Sequence, residues 1–167
     1  MLMMLLAVSA NATTFKVTTT EDRKVGSLRW AIEQSNKENA LSNIVFDLPV
    51  GSVVTPDSTI DIKTSVVIDG QIDGGRIDIS PVINEFRLFS MVHTELDSVV
   101  FQNLNIYEPK FEKEGHYTWH NSFIESDTTS GLLVLRNNHI SKFQEMVVCR
   151  GNSLHIECYD CLCDSMY

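Results

Sequence analysis

Three aspartates, Asp69, Asp73 and Asp78, fall within the single stretch "DGQIDGGRID". Two carboxyl groups held on one protein face can hydrolyse a glycosidic bond, one as acid and the other as base or nucleophile. Asp69 and Asp73 are the pair such a reaction would use. The competing account is conformational: in a Gly-rich turn, Asp bonds its own backbone. Carboxylates and carbonyls crowded into a turn are also what Ca²⁺ takes, although the spacing here matches no calcium loop.

A second group lies in "YEPKFEKEGHYTWHN", Tyr107 to Asn121. Tyr107, Tyr117, Trp119 and His120 are the candidate ligand-binding residues, because aromatics on an exposed loop stack on sugar rings or anchor protein interfaces. Phe111 and Trp119 could instead fold back as a small satellite core. The tail reads His155-x2-Cys158-x2-Cys161-x-Cys163, with Cys149 upstream. It lacks the second ligand pair of a zinc module, so no metal site is assigned. In an oxidising compartment Cys149, Cys158, Cys161 and Cys163 are disulfide candidates, with three possible connectivities. His139 and His155 each precede an apolar Ile, as Asn105 precedes Ile106, which would set all three in one outward row. No nucleophile elbow, phosphate loop or His-Glu-x-x-His motif is present.

The elements that must position these residues are short. Ser27 to Asn36 carries Leu28, Ala31, Ile32 and Ser35 on one helical face, with Ser27 as N-cap; "NKEN" then breaks the helix. From Asn43 the period becomes two. "NIVFDL", "TIDIK", "SVVID", "RIDIS", "FRLFSMV", "SVVFQ", "LNIY", "SFIES" and "LLVLR" read as strands separated by Pro, Gly, Asn and Asp turns. No helix for a βαβ crossover appears among them.

"SVVIDG" at Ser65, "SVVFQN" at Ser98 and "LLVLRN" at Leu132 form a repeat with three strands per interval. Three strands and a return to the same pattern predict an all-β, right-handed parallel β-helix of about four coils. Val99, Phe101, Leu104 and Ile106 would point inward, as would Leu133, Leu135, Asn138 and Ile140. Asn103 and Asn137 would stack at the bend. Asn138, standing where Leu104 would continue an apolar file, is the departure. Val67, Asp69, Val100, Gln102, Val134 and Arg136 would face outward. A β-helix exposes unpaired edges at its ends, so the lone helix predicts an N-terminal lid.

Bulk properties narrow the function. With 13 Lys plus Arg against 22 Asp plus Glu, the net charge is −9. That disfavours nucleic acid and anionic lipid, which need a positive field. "MLMMLLAVSANA" is too short to span a bilayer and ends in a small-x-small pattern, so residues 1–12 read as a signal peptide. Residues 13–42 then form the cap and 43–167 the coils, with a truncated C-terminal end expected.

"GSLRWAIEQSN", "NIVFDLPVGSVV" and "TIDIKTSVVIDG" together resemble the N-terminal segment of exported β-helix proteins of the polymorphic outer membrane protein type, a pectin-lyase-like fold. The resemblance rests on Ser27, Leu28, Arg29, Ala31, Ile32, Asn36, Ile44, Phe46, Ile68, Asp69 and Gly70. It covers Thr18 to about Ile106, and it departs where many members carry Cys and this chain has Gly26. The resemblance implies a β-helix domain of the kind that scaffolds adhesins, surface proteins and polysaccharide-active enzymes alike. The mixed, partly apolar outward row favours a secreted, cell-surface or outer-membrane scaffold, adhesin-like and without catalysis or cofactor. Such a scaffold would present strand faces and the 107–121 loop to carbohydrate or a surface protein. A polysaccharide lyase or glycoside hydrolase of the same fold is the alternative.

Overall fold

The computed structural model describes residues 12–38, 40–82, 87–91, 98–107, 122–127, 130–141, 143, 145–150 and 153–164. The elements run β1 (Thr13–Val17), α1 (Leu28–Ser35), β2 (Ser42–Phe46), β3 (Val53–Val54), β4 (Ile60–Ile62), β5 (Val66–Asp69), β6 (Gln71–Ile72), β7 (Gly75–Ile79) and β8 (Arg87–Met91). They continue with β9 (Ser98–Gln102), β10 (Leu104–Tyr107), β11 (Ser122–Ser126), β12 (Gly131–Arg136), β13 (His139–Ser141), β14 (Glu145–Cys149), β15 (Leu154–Tyr159) and β16 (Leu162–Asp164).

Three parallel sheets line a common core. Sheet A orders β1-β2-β5-β9-β12-β15, sheet B orders β3-β7-β10-β13-β16, and sheet C orders β4-β8-β11-β14. The chain visits A, B and C in turn, so β2–β3–β4, β5–β7–β8, β9–β10–β11 and β12–β13–β14 are successive coils, and β15–β16 begin another. This is a parallel β-helix. Its small antiparallel interruption, β6 against β7, is a hairpin inserted after Gly70.

The period-two pattern stacks like on like. Ile44, Ile68, Phe101 and Leu135 form one buried file on sheet A. Val54, Ile79, Ile106 and Ile140 form another on sheet B. Phe101 packs against Phe89 of sheet C and against Phe123, with ring centroids 4.8 and 5.3 Å apart. Each strand is too short to be stable alone, and the files bury a continuous core between coils.

The bend from sheet A to sheet B uses one left-handed residue in each of the last three coils: Asn103 (φ 56°), Asn137 (φ 52°) and Asp160 (φ 51°). Asn and Asp tolerate this conformation better than other side chains. In the second coil Gly70 holds the equivalent place, its N–H donating to Gln102 O at 2.9 Å. Its need for glycine is steric. An added Cβ would lie 2.4 Å from both the Asn103 carbonyl oxygen and Leu104 Cδ2. Because one of those atoms is backbone, the bend itself must move. Gly70→Ala is expected to cost about 3 kcal/mol, the upper end for overpacking, measured as a lower urea midpoint with unchanged slope.

The first coil is covered along sheets A and C. β1 adds a strand to sheet A, and the Asp47 N–H donates to Val17 O at 2.9 Å as the chain leaves β2. Helix α1 begins where Ser27 Oγ accepts the Trp30 N–H at 3.0 Å, and it buries Leu28, Ala31, Ile32 and Ser35. Asn36 mimics a neighbouring strand: its Nδ2 donates to Asp61 O and its Oδ1 accepts from Lys63 N, each at 2.8 Å, along the edge of β4. The helix is therefore the expected lid. The 13–42 segment also contributes β1, which the sequence pattern did not announce. Among the described residues no helix is long and apolar enough to cross a membrane.

Candidate functional site

On the outside of sheet A two rows run across the coils. Val67, Val100 and Val134 are aligned in one, and Asp69, Gln102, Arg136 and Tyr159 in the other. Val67 and Val100 are half-buried and Val134 is buried, while Arg136 and Tyr159 are exposed. The Arg136 guanidinium lies 5.9 Å from the centroid of the Tyr159 ring, within cation–π range. The outward residues expected from the alternation thus form a flat, mixed surface. Tyr159 extends it.

Asp69 is committed to the bend. Its Oδ1 accepts from Gln71 N at 3.0 Å and Asn103 Nδ2 at 2.8 Å, and its Oδ2 accepts from Gln102 Nε2 at 2.9 Å. Asn137 Nδ2 donates in turn to Asn103 Oδ1 at 2.7 Å, and Arg76 donates to Asn137 Oδ1. The amides point one way, from a guanidinium to a carboxylate. Stacked side chains at the bend therefore behave as the repeat implied, and Asp69 is their anion. Asp73 sits apart, exposed at the β6–β7 turn beside Gly74 at φ 85°.

Sheet B presents Asp78, Asn105 and His139 in one outward row. Asn105 Nδ2 donates to Asp78 Oδ1 at 2.9 Å, and His139 Nε2 lies 3.0 Å from Asp164 Oδ2. His155 does not join this row. It falls in β15 of sheet A, opposite Leu132, because the tail opens its coil with an A strand. Tyr107 closes β10, and its phenol is held above its ordinary pKa by burial and by the Asp78 carboxylate. Tyr117, Trp119 and His120 lie outside the described residues.

Sheet C holds the arrangement that sequence reasoning missed. Glu125 is 6% exposed, and its Oε1 meets Arg87 Nη1 at 2.7 Å and Arg150 Nε at 2.8 Å. Two guanidiniums on one buried carboxylate leave local positive charge in an acidic chain. In "SFIES" every position is buried, so no alternation marked the Glu as distinct.

The four cysteines are unbridged. Among the described residues no three His, Cys, Asp or Glu groups converge to hold a metal ion. Compared with known proteins, the chain matches no family model and no curated protein.

Proposed function

We propose that this chain is a secreted or cell-surface β-helix scaffold of the polymorphic outer membrane protein type, adhesin-like and non-catalytic. It presents its strand faces to carbohydrate or to a surface protein. The observation carrying this reading is the outer face of sheet A, where aligned valines run beside Gln102, Arg136 and Tyr159. Apolar strips flanked by amphipathic and planar side chains suit the faces of sugar rings and of protein partners. The hydrolase alternative needs a free carboxylate pair, and Asp69 has both oxygens engaged by N–H donors of the bend.

The test is a polysaccharide panel titrated against the full chain, scoring binding and product release together. Binding without turnover is expected. Val100→Glu, a charge placed in the middle of the apolar row, should weaken it by roughly tenfold or more while changing stability by about 1 kcal/mol or less. Loss on Trp119→Ala instead would locate the contact in the 107–121 insertion. Release of reducing or unsaturated sugar would overturn the scaffold reading.

A further inference from the structure

Three of the four cysteines, Cys158, Cys161 and Cys163, occupy the last coil of the fold. Cys158 stands in register with inward-facing Leu135, and Cys163 with inward-facing Ile140. Leu162 N donates to Asn138 O at 2.9 Å, which places Cys161 over Asn138. Cys158 and Cys161 thus hold the two inward positions flanking the left-handed bend residue Asp160. In the coil before, these positions belong to Leu135 and Asn138, both buried, and Asn138 reaches back across the bend to the Phe101 carbonyl. Inward side chains on either side of this bend converge.

The other two thiols are directed elsewhere. Cys163 Sγ donates to Met146 Sδ at 3.5 Å, toward sheet C. Cys149 lies in sheet C itself, opposite Ser126. Cys161 Sγ donates to Tyr159 O at 3.4 Å, inside the bend. In the last coil the core file is open: Ile156, in register with buried Leu133, is 40% exposed, and Cys158 is open to solvent. Small-molecule oxidants therefore reach these sulfurs.

We propose that Cys158 and Cys161 form a redox pair whose disulfide closes across the Asp160 bend and fixes the corner between β15 and β16. With a glutathione-type disulfide as oxidant, the Cys161 thiolate attacks one sulfur and expels one glutathione thiolate. Cys158 then gives its proton to solvent and attacks the Cys161 sulfur, expelling the second. Two protein thiols are oxidised and one disulfide is reduced to two thiols. Burial and the neighbouring Cys161 thiol push the Cys158 thiol up to about 11, so Cys161 attacks first, and the mixed disulfide then holds the target sulfur beside Cys158. The pairing is independent of what the strand faces bind.

The experiment treats the full reduced chain, at low concentration and pH 8, with oxidised glutathione, then blocks remaining thiols by alkylation and maps peptides by mass spectrometry. A Cys158–Cys161 link with Cys149 and Cys163 alkylated is the expected result. Cys163→Ser should leave it intact, whereas Cys158→Ser should stop at a glutathione adduct on Cys161. Amide exchange across residues 154–164 should slow by roughly tenfold on oxidation. A link through Cys163 or Cys149, four alkylated thiols, or adducts on Cys158 and Cys161 that never resolve would each overturn the pairing.

Discussion

Arg29→Ala is expected to lower the unfolding free energy by about 3–5 kcal/mol, the cost of orphaning one partner of a buried ion pair. Arg29 and Asp22 retain only 12% and 7% of their side-chain exposure. The guanidinium Nε lies 3.1 Å from both Asp22 oxygens and Nη2 lies 2.9 Å from Oδ2, so the carboxylate is gripped on its edge. The remaining N–H groups donate to Ser58 O at 2.6 Å and Thr59 O at 2.7 Å, carbonyls that lead into β4. One side chain thereby ties the loop before α1, the helix and the first strand of sheet C together. Removing it leaves Asp22 buried with the Asp57 N–H, 3.1 Å from Oδ2, and strips two carbonyls of donors.

Two further variants separate this account from simple loss of packing. Arg29→Lys should recover little, because an ammonium cannot span a carboxylate and two carbonyls at once. The double variant Arg29→Met/Asp22→Leu should be more stable than Arg29→Ala, since no charge is left unpaired. Urea unfolding of the three reads the ordering, and amide exchange should rise first along β4 as the lid loosens. A loss under about 1 kcal/mol would mean the pair behaves as a surface ion pair and the lid is held by Leu28, Ala31 and Ile32 alone.

What the sequence revealed was whatever is encoded locally or by repetition. The helix is legible because its cap and its buried face lie within one ten-residue window. The coils are legible because the steps from Ser65 to Ser98 and on to Leu132 are the spatial register: Val66 stacks on Val99, and Val99 on Leu133. Partners set by distant loops left no mark. Nothing near Arg29 announces that Ser58 and Thr59 will present their carbonyls to it, and nothing in "SFIES" pairs Glu125 with Arg87 and Arg150. β1 escaped because "TTFKV" is a single edge strand whose inward face the helix covers only in part. Gly26, where the resembled pattern carries Cys, has a local reason: its φ is +84°, and a Cβ would fall 2.4 Å from Thr18 Oγ1.

Asn138 is where a sequence irregularity carries most energy. It continues the file of Leu104, is 1% exposed, and so stands as an amide among apolar side chains. Its Nδ2 donates to Phe101 O at 2.8 Å and its Oδ1 accepts from Leu104 N at 3.0 Å. Those groups flank Asn103, whose left-handed turn takes them out of the regular ladder. A buried backbone group left unpaired costs about 1–3 kcal/mol, so Asn138→Leu, although it restores the repeat and adds apolar surface, should destabilise by about 2–4 kcal/mol. Asn138→Asp keeps the acceptor for the Leu104 N–H but replaces the donor with a charge, and it should be at least as damaging at neutral pH. If Asn138→Leu instead equals or exceeds the parent in thermal unfolding, the apolar file outweighs the bend's polar needs. The asparagine would then be tolerated at the bend without stabilising it.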